Sequence, residues 1–231
     1  MSELFDIACN FSSNRYDNDL DEVIKHAKNN NVTKFLVVSA SINDVDKIYS
    51  IYQKYKSDCF FTVGTHPHHA NEINAESMKK MRILVQDLKP CSVGETGLDF
   101  FRNLSTLEEQ IFAFEEQIKL SIEFNKPLFL HQRDAHDEFI KIIMKYKNDI
   151  NKAVVHCFTG TQKQLDSYLN LGFYIGLTGW ICDERRNVEL RKSIKNIPLD
   201  KLMIETDSPY LIPRNLIIKP KNNRNEPSYL P

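Results

Sequence analysis

The sequence predicts an α/β fold, a (β/α)8 TIM barrel of parallel strands, and three observations predict it. Strand-like and helix-like segments alternate along the chain, and eight strands can be counted. The strands read as continuous apolar runs, the pattern of a parallel sheet covered by helices. Six of those runs lead straight into chemically loaded residues. Phe60–Gly64 leads into His66, Cys91–Gly94 into Glu95, Pro127–Leu130 into His131 and Ala153–Val155 into His156. Phe173–Gly176 leads into Thr178, Gly179 and Trp180, and Leu202–Ile204 into Glu205 and Asp207. A barrel delivers the C-terminal ends of its strands to one face, so these residues converge there.

Each element has its own reason. Leu4–Cys9 reads as the first strand and Leu20–Asn29 as the first helix. Lys34–Val38 contains Phe-Leu-Val-Val, a short buried-type strand. Val45, Ile48, Ile51, Tyr52 and Tyr55 give Ile42–Tyr55 a helical period. The third helix lies within Ala75–Leu88. The fourth carries a capping box, Thr106 with Glu109, and a stripe of Leu107, Ile111, Phe114, Ile118 and Ile122. Pro127 ends that unit and opens the fifth strand. Asp134 is placed to cap the next helix, which runs to Tyr146. Thr161 to Asn170 and Asn187–Ile194 are the last two helices. After Asp207 come Pro209, Pro213, Pro220, Pro227 and Pro231 among polar residues, with no apolar period, so the final C-terminal helix of the barrel is expected to be lacking. Bare apolar surface between the seventh and first helices would follow. A doubly wound open sheet would need a Gly-rich phosphate turn after the first strand, and Cys9-Asn10-Phe11-Ser12-Ser13 is not one. No linker or low-complexity run interrupts the chain, which reads as one domain over residues 1–231.

Bulk properties exclude some functions. The 231 residues, 42% hydrophobic and 26% charged, suit one soluble barrel. No stretch approaches the roughly 20 apolar residues of a membrane span. Met1-Ser2-Glu3-Leu4-Phe5-Asp6 lacks the basic start of a signal peptide, so an intracellular, cytoplasmic protein is expected, nuclear if the source is eukaryotic. The five cysteines are odd in number and lack a C-x-x-C pair, which argues against disulfides and thiolate metal sites. Net charge is −1, so no global basic field attracts nucleic acid. Positive charge for a polyanionic substrate must be local, as in Arg185-Arg186 with Arg191-Lys192, or Lys219-Pro-Lys221 with Arg224.

The strand-end residues carry the chemistry. A Glu, an Asp and two His converging there form a divalent-metal site, which activates water. Glu205 and Asp207 are two apart and share a face, where they repel unless a cation or proton lies between them. Gly94 and Gly97 around Glu95 favour a tight loop where something approaches the backbone. Gly64-Thr65-His66-Pro67-His68-His69 is a Pro-stiffened loop suited to metal, to phosphate or to the bare surface. Trp180, the only Trp, could stack a base or plug the rim. His136 is read as supporting or structural.

Val-Gly-Thr-His-Pro-His (63–68), Gly-Glu-Thr-Gly-Leu-Asp-Phe (94–100), His-Gln-Arg-Asp-Ala-His (131–136), His-Cys-Phe-Thr-Gly-Thr (156–161), Thr-Gly-Trp-Ile-Cys-Asp-Glu-Arg-Arg (178–186), Glu-Thr-Asp-Ser-Pro-Tyr-Leu (205–211) and Arg-Asn-Glu-Pro (224–227) follow one another in order. From Phe5 to Pro231 the chain resembles the TatD family of metal-dependent deoxyribonucleases. The resemblance implies a barrel of the metallo-dependent hydrolase superfamily and Mg²⁺-dependent hydrolysis of DNA. It implies chiefly 3′→5′ exonuclease trimming of single strands, with RNA as a second substrate. Glu95, His131, His156 and Asp207 match the family's metal ligands, Glu205 its acidic neighbour and His66 a histidine facing the substrate phosphate. The family's first-strand His-x-His is replaced by Ala8 and Asn10. Asp6 and Asn10 then remain as weaker ligands, and a second ion is expected to bind weakly. The family also normally continues for one more helix beyond the Asn-Glu-Pro segment.

Phosphodiester hydrolysis needs an activated water, neutralised phosphoryl oxygens and help for the leaving alkoxide. Two metals about 3.5–4 Å apart can supply all three. Glu95 is suited to bridge them, and Asp207 to bind metal and orient or deprotonate the water, with Glu205 as the alternative base. Arg133, Arg185 or Arg186, His66 and His68 could grip phosphate. Mixed N and O donors suit Mg²⁺, Mn²⁺ or Zn²⁺, as one ion or two. A lactonase, amidase or deaminase on this barrel competes, as does an inactive nucleic-acid-binding relative. Ala8, Asn10 and Glu95 argue against the first, and the four matched ligands against the second.

Overall fold

The computed structural model describes residues 2–185, 187–220 and 222–231. Its eight strands form one sheet in the order β1 to β8, each parallel to the next. They are β1 (Leu4–Cys9), β2 (Val32–Val37), β3 (Cys59–Val63), β4 (Ser92–Asp99), β5 (Leu128–Arg133), β6 (Ala153–Val155), β7 (Tyr174–Leu177) and β8 (Leu202–Ile204). Between them run α1 (Leu20–Asn29), α2 (Val45–Lys54), α3 (Ala75–Leu88), α4 (Leu107–Glu123), α5 (His136–Tyr146), α6 (Gln162–Asn170) and α7 (Val188–Ser193). The ring closes just beyond β8, where Cys9 bridges Ser208 in parallel and the Asn10 N–H donates to the Ser208 carbonyl at 2.8 Å.

The apolar side chains divide into two bodies. The larger lies between sheet and helices and includes Phe35, Phe114, Ile118 and Phe139. The smaller holds Ile7, Ala8, Leu36, Val38 and Phe129 with Val154 and Met203, from the strands or their immediate ends, and fills the barrel interior. Burying one large apolar side chain contributes about 1.5–3 kcal/mol, so truncating Phe129 in this small plug would cost more than its surface area alone suggests. The plug also sets the floor of the mouth, because the Phe129 ring lies 4.9 Å from that of His156.

Several expected elements differ in detail. The capping box of α4 forms, with Thr106 Oγ1 accepting from the Glu109 N–H and Glu109 Oε2 from the Thr106 N–H. Its stripe is shifted: Leu107 is exposed, while Gln110 and Gln117 are buried on the inner face. Ile42–Asp44 forms a 3-10 turn capped by Ser41 before α2 begins. Asp134 does not cap α5. It takes φ +54°, and the Gln132 side chain accepts the Ala135 N–H instead. Gly94 and Gly97 are not in a tight loop but inside β4, with φ near 145° and 147°. A Cβ at either would strike the backbone of β5, at Phe129 and His131 respectively.

After β8 the described residues contain no α-helix. The 3-10 turn Pro227–Tyr229 packs on α1, where an eighth helix would stand. Arg224 fixes it by pairing with Asp19 at 2.7 Å and lying over the Tyr16 ring. The tail therefore covers part of the expected bare surface, although Ile217 and Ile218 remain exposed.

Candidate metal centre

Glu95 stands at the middle of β4. Alternation along that strand puts Glu95, Gly97 and Asp99 on one face. Neighbouring backbones carry the pattern past the strand ends. The His156 N–H donates to the Leu130 carbonyl at 3.0 Å, the His66 N–H to Ala40 at 2.9 Å and the Glu205 N–H to Leu177 at 3.0 Å. Two buried glutamines of α4 hold the other side of this frame. Gln117 accepts the Thr65 N–H at 2.7 Å and donates to the Thr65 carbonyl at 3.0 Å. Gln110 does the same for Asp99, at 2.8 and 3.2 Å.

The result is three imidazoles around one carboxylate oxygen. Glu95 Oε1 lies 2.7 Å from His156 Nε2, 2.9 Å from His131 Nδ1 and 3.3 Å from His66 Nε2. His131 Nδ1 lies 3.3 Å from His66 Nε2 and 3.4 Å from His156 Nε2. Donors about 2.1 Å from one ion in tetrahedral or octahedral array stand about 3.0–3.4 Å from one another, close to the spacing seen. Nitrogen facing nitrogen at such range needs a proton or a cation between. The ligand atoms of His66, Glu95 and His131 all lie within 4.8 Å of one another. Neutral imidazole with carboxylate is a transition-metal donor set, and these residues fit a divalent cation.

The electrostatics follow from crowding in a buried place. Burial opposes charge on Glu95, but His156, His66 and His131 outweigh it and hold the carboxyl well below its usual range. Burial likewise opposes charge on His156, and Glu95 with Glu205 lifts it well above an ordinary histidine. For His131, burial is outweighed by Asp99 and Glu95, and the ring is raised. His66 goes the other way, lowered to about 4 chiefly by burial. Asp207 is pushed up to about 7, by burial first and then by Glu95 and Glu205 against the pull of His156.

The remaining expected site residues are distributed unevenly. Asp207 lines a cavity of about 480 Å³ above the cluster, together with His68, Arg133 and Trp180. Its Oδ1 accepts from Asn10 Nδ2 at 3.0 Å, so Asn10 presents its amide donor to Asp207 rather than an oxygen to the cluster. Asp6 is turned away altogether. Its carboxylate takes the Thr206 N–H at 2.9 Å, the Thr206 hydroxyl at 2.5 Å and the Ala8 N–H at 3.2 Å, tying β1 to the end of β8. Glu205 lies behind His156: its Oε1 accepts the Cys157 N–H and stands 3.6 Å from His156 Nδ1. Arg185 is taken up by Asp183 at 3.1 Å, which also pairs with Arg214 at 2.9 Å. Arg186 and Lys221 lie outside the described residues. His136 Nδ1 meets the Tyr168 hydroxyl at 3.0 Å, away from the cluster.

Two residues at the mouth were not singled out from the sequence. Asp99 Oδ2 lies 2.8 Å from His68 Nε2 and 3.4 Å from His131 Nε2. Burial works against its charge, but hydrogen bonds from His131, His68 and the Arg102 N–H hold it below the usual range. The alternation of β4 from Glu95 was the signal that could have found it. Arg102, three residues on, lines the same cavity.

The sequence matches the family model for TatD related DNase over residues 5–231. The 3′-5′ ssDNA/RNA exonuclease TatD of Erwinia billingiae is 42% identical over 228 residues, covering 99% of this chain and 87% of that protein. That of Cronobacter sakazakii is 43% identical, with 99% and 86% covered. Among solved structures, a TatD homologue from Escherichia coli superposes with TM-score 0.89 at 25% identity, over 97% of this chain and 85% of that one. A TatD family hydrolase from Entamoeba histolytica gives TM-score 0.87 at 28% identity, over 99% and 88%.

Proposed function

The chain belongs to the family of TatD related DNases, and from that premise we propose that it is a metal-dependent nuclease hydrolysing the phosphodiester bonds of DNA. On this reading it is a 3′→5′ exonuclease that prefers single strands and also accepts RNA, carried by one domain over residues 1–231. The observation that carries the proposal is the convergence of His66, His131 and His156 on Glu95 Oε1 at the floor of an open cavity.

Glu95, His131, His156 and His66 would hold a divalent cation, with Asp207 at the adjacent wall. Mg²⁺ is the first candidate, while the nitrogen-rich donor set also suits Mn²⁺ or Zn²⁺. When bound, such an ion supplies charge for the phosphoryl oxygens and lowers the pKa of water. The chain's own residues do the rest. Asp207, with its carboxyl near 7, is poised to accept a proton at neutral pH, and the Asn10 amide orients it. Glu205 positions His156 rather than touching substrate. Arg133 and Arg102 are the guanidinium groups lining the cavity and would bind the phosphate. His68, braced by Asp99, faces the same space, and Trp180 offers a ring to a base at the rim.

Incubating the purified protein with 5′-labelled single-stranded DNA tests the proposal. A ladder shrinking from the 3′ end with Mg²⁺ or Mn²⁺, and abolished by chelator, is expected. Shifted but intact DNA under every ion would sink the nuclease reading in favour of a binding protein.

A further inference from the structure

A second cavity, of about 410 Å³, adjoins the one over the centre, and Gln132, Arg133 and Thr159 line both. Its size is that of a small-ligand site. At its edge stands Phe101, 58% exposed although large and apolar. The Arg133 guanidinium lies over that ring, 3.8 Å from the centroid. The rest of the wall mixes Val155 and Phe158 with polar groups and carries carboxylates from Asp134 and Glu189. Gln132 is spent on structure, donating to the Tyr168 hydroxyl and accepting the Ala135 N–H.

We propose that this second cavity is a nucleobase subsite, which takes the base of the nucleotide on the 5′ side of the scissile phosphate. The inference rests on the nuclease reading above. Arg133 sits on the wall common to both cavities, so a strand crossing from one to the other carries a backbone phosphate past a guanidinium. The Phe101–Arg133 pair offers a flat face, and bases stack on both aromatic rings and guanidinium planes. The carboxylates argue for a base rather than a phosphate in the pocket. Glu189 is paired with Lys192 at 2.8 Å, so the Asp134 carboxylate is the wall's acceptor for an exocyclic amine, and its charge disfavours a phosphate beside it. Adenine and cytosine carry such an amine and thymine does not, so the subsite favours the first two.

The test compares kcat/KM on single-stranded deoxynucleotide trimers (dA, dC and dT) with kcat/KM on the p-nitrophenyl ester of thymidine 5′-phosphate, which has no second nucleotide. Phe101→Ala should lower the trimer-to-ester ratio about tenfold, mainly through KM, and Phe101→Trp should restore it. Asp134→Asn should remove the preference for dA and dC over dT. Because Phe101 lies outside the packed core, its loss leaves the fold in place. An unchanged trimer-to-ester ratio in Phe101→Ala overturns the subsite while leaving the nuclease intact. An intact base preference in Asp134→Asn overturns the role of the acidic wall. A wild-type protein that cuts neither trimer nor ester overturns the nuclease reading, and the subsite with it.

Discussion

The two sides of the barrel mouth hold their chemistry by different means. On the β3–β5 side a helix does it: Gln110 and Gln117, seven apart on α4, clamp the backbone at Asp99 and Thr65. On the β8 side the described residues hold no such helix, and the tail does it. Asn225 Nδ2 donates to the Thr206 carbonyl at 2.9 Å and to Leu211 at 3.3 Å. The Asn225 N–H donates to Pro209 at 3.1 Å, and its carbonyl accepts from the Tyr16 hydroxyl at 2.9 Å. Arg15 adds a bond to the Pro209 carbonyl at 3.2 Å. The imidazole–Glu95 cluster is thus built into the packed core, whereas the Asp207 loop depends on two remote segments meeting. The residues proposed to bind a cation are the ones held by the core. The carboxylate proposed to take a proton sits on the side held by the stitch.

The largest effect should separate those two tasks. Glu95→Ala is expected to abolish hydrolysis and divalent-ion uptake together, with far-UV circular dichroism near wild type because the residue faces the mouth. Asp207→Asn should abolish turnover while keeping most of the ion uptake. Equal loss of bound ion in both variants would erase the distinction between the two sides.

Removing each clamp comes next. Gln117→Ala leaves the buried Thr65 N–H and carbonyl without partners, at about 1–3 kcal/mol for each group. At this chain length each kcal/mol lowers Tm by about 2–4 °C. Asn225→Ala should cost a similar amount of stability and, through the displaced Asp207, about 10–100-fold in kcat. A variant at Asn225 that melts early but turns over normally would show that the stitch serves the fold alone.

Stability against pH sharpens the contrast in chelated protein. His66 is lowered to about 4 in the fold, so between its ordinary value of about 6.5 and 4 the unfolded chain binds the extra proton. Its contribution is complete above about 6.5 and is lost as pH falls toward 4. Asp207 is raised to about 7, so between its ordinary value of about 3.9 and 7 the folded chain binds the extra proton. Its contribution is complete below about 3.9 and is lost as pH rises through 7. Melting curves should therefore show Asp207→Asn gaining on wild type as pH rises from 4 to 7. His66→Ala should gain on it as pH falls from 6.5 to 4. Parallel curves for the two variants would contradict both assignments.

The smallest expected effect concerns the arginines. Arg133→Ala or Arg102→Ala should flatten the dependence of DNA binding on salt by about one phosphate contact each. Arg185→Ala should change it less, because Asp183 already neutralises that guanidinium. A larger change at Arg185 would move the nucleic-acid path toward α7.

Much of this was legible in the sequence. Apolar runs placed the eight strands and the face on which Glu95, His131 and His156 converge, although Glu95 and His131 lie within β4 and β5 rather than past their ends. What escaped was whatever depends on side-chain direction rather than on position. Asp6 lies inside β1 and Glu205 just past β8, yet neither lines the cavity, because one is absorbed by Thr206 and the other backs His156. His66, on a loop read as open to metal or to phosphate, lies within the cluster, since the Pro67 loop folds its ring down onto Glu95. Asp99 was hidden because Gly97 suggested a turn where β4 in fact runs on. Gln110 and Gln117 carry no apolar signal, so a search for a hydrophobic stripe passes over the two residues that matter most on α4.

The stitch at Asn225 also has a meaning in time. One of its bonds joins residues 209 apart along the chain, from Tyr16 to Asn225. A polypeptide growing on the ribosome completes all eight strands by Ile204, while the amide that fastens Asp207 is still to be made. At about 5–20 residues per second the interval is about 1–4 s. Throughout it the Glu95 side of the mouth has all of its strands while the Asp207 side still lacks its stitch. The Asp207 side of the mouth is thus fastened last, because the segment that fastens it follows the whole barrel along the chain.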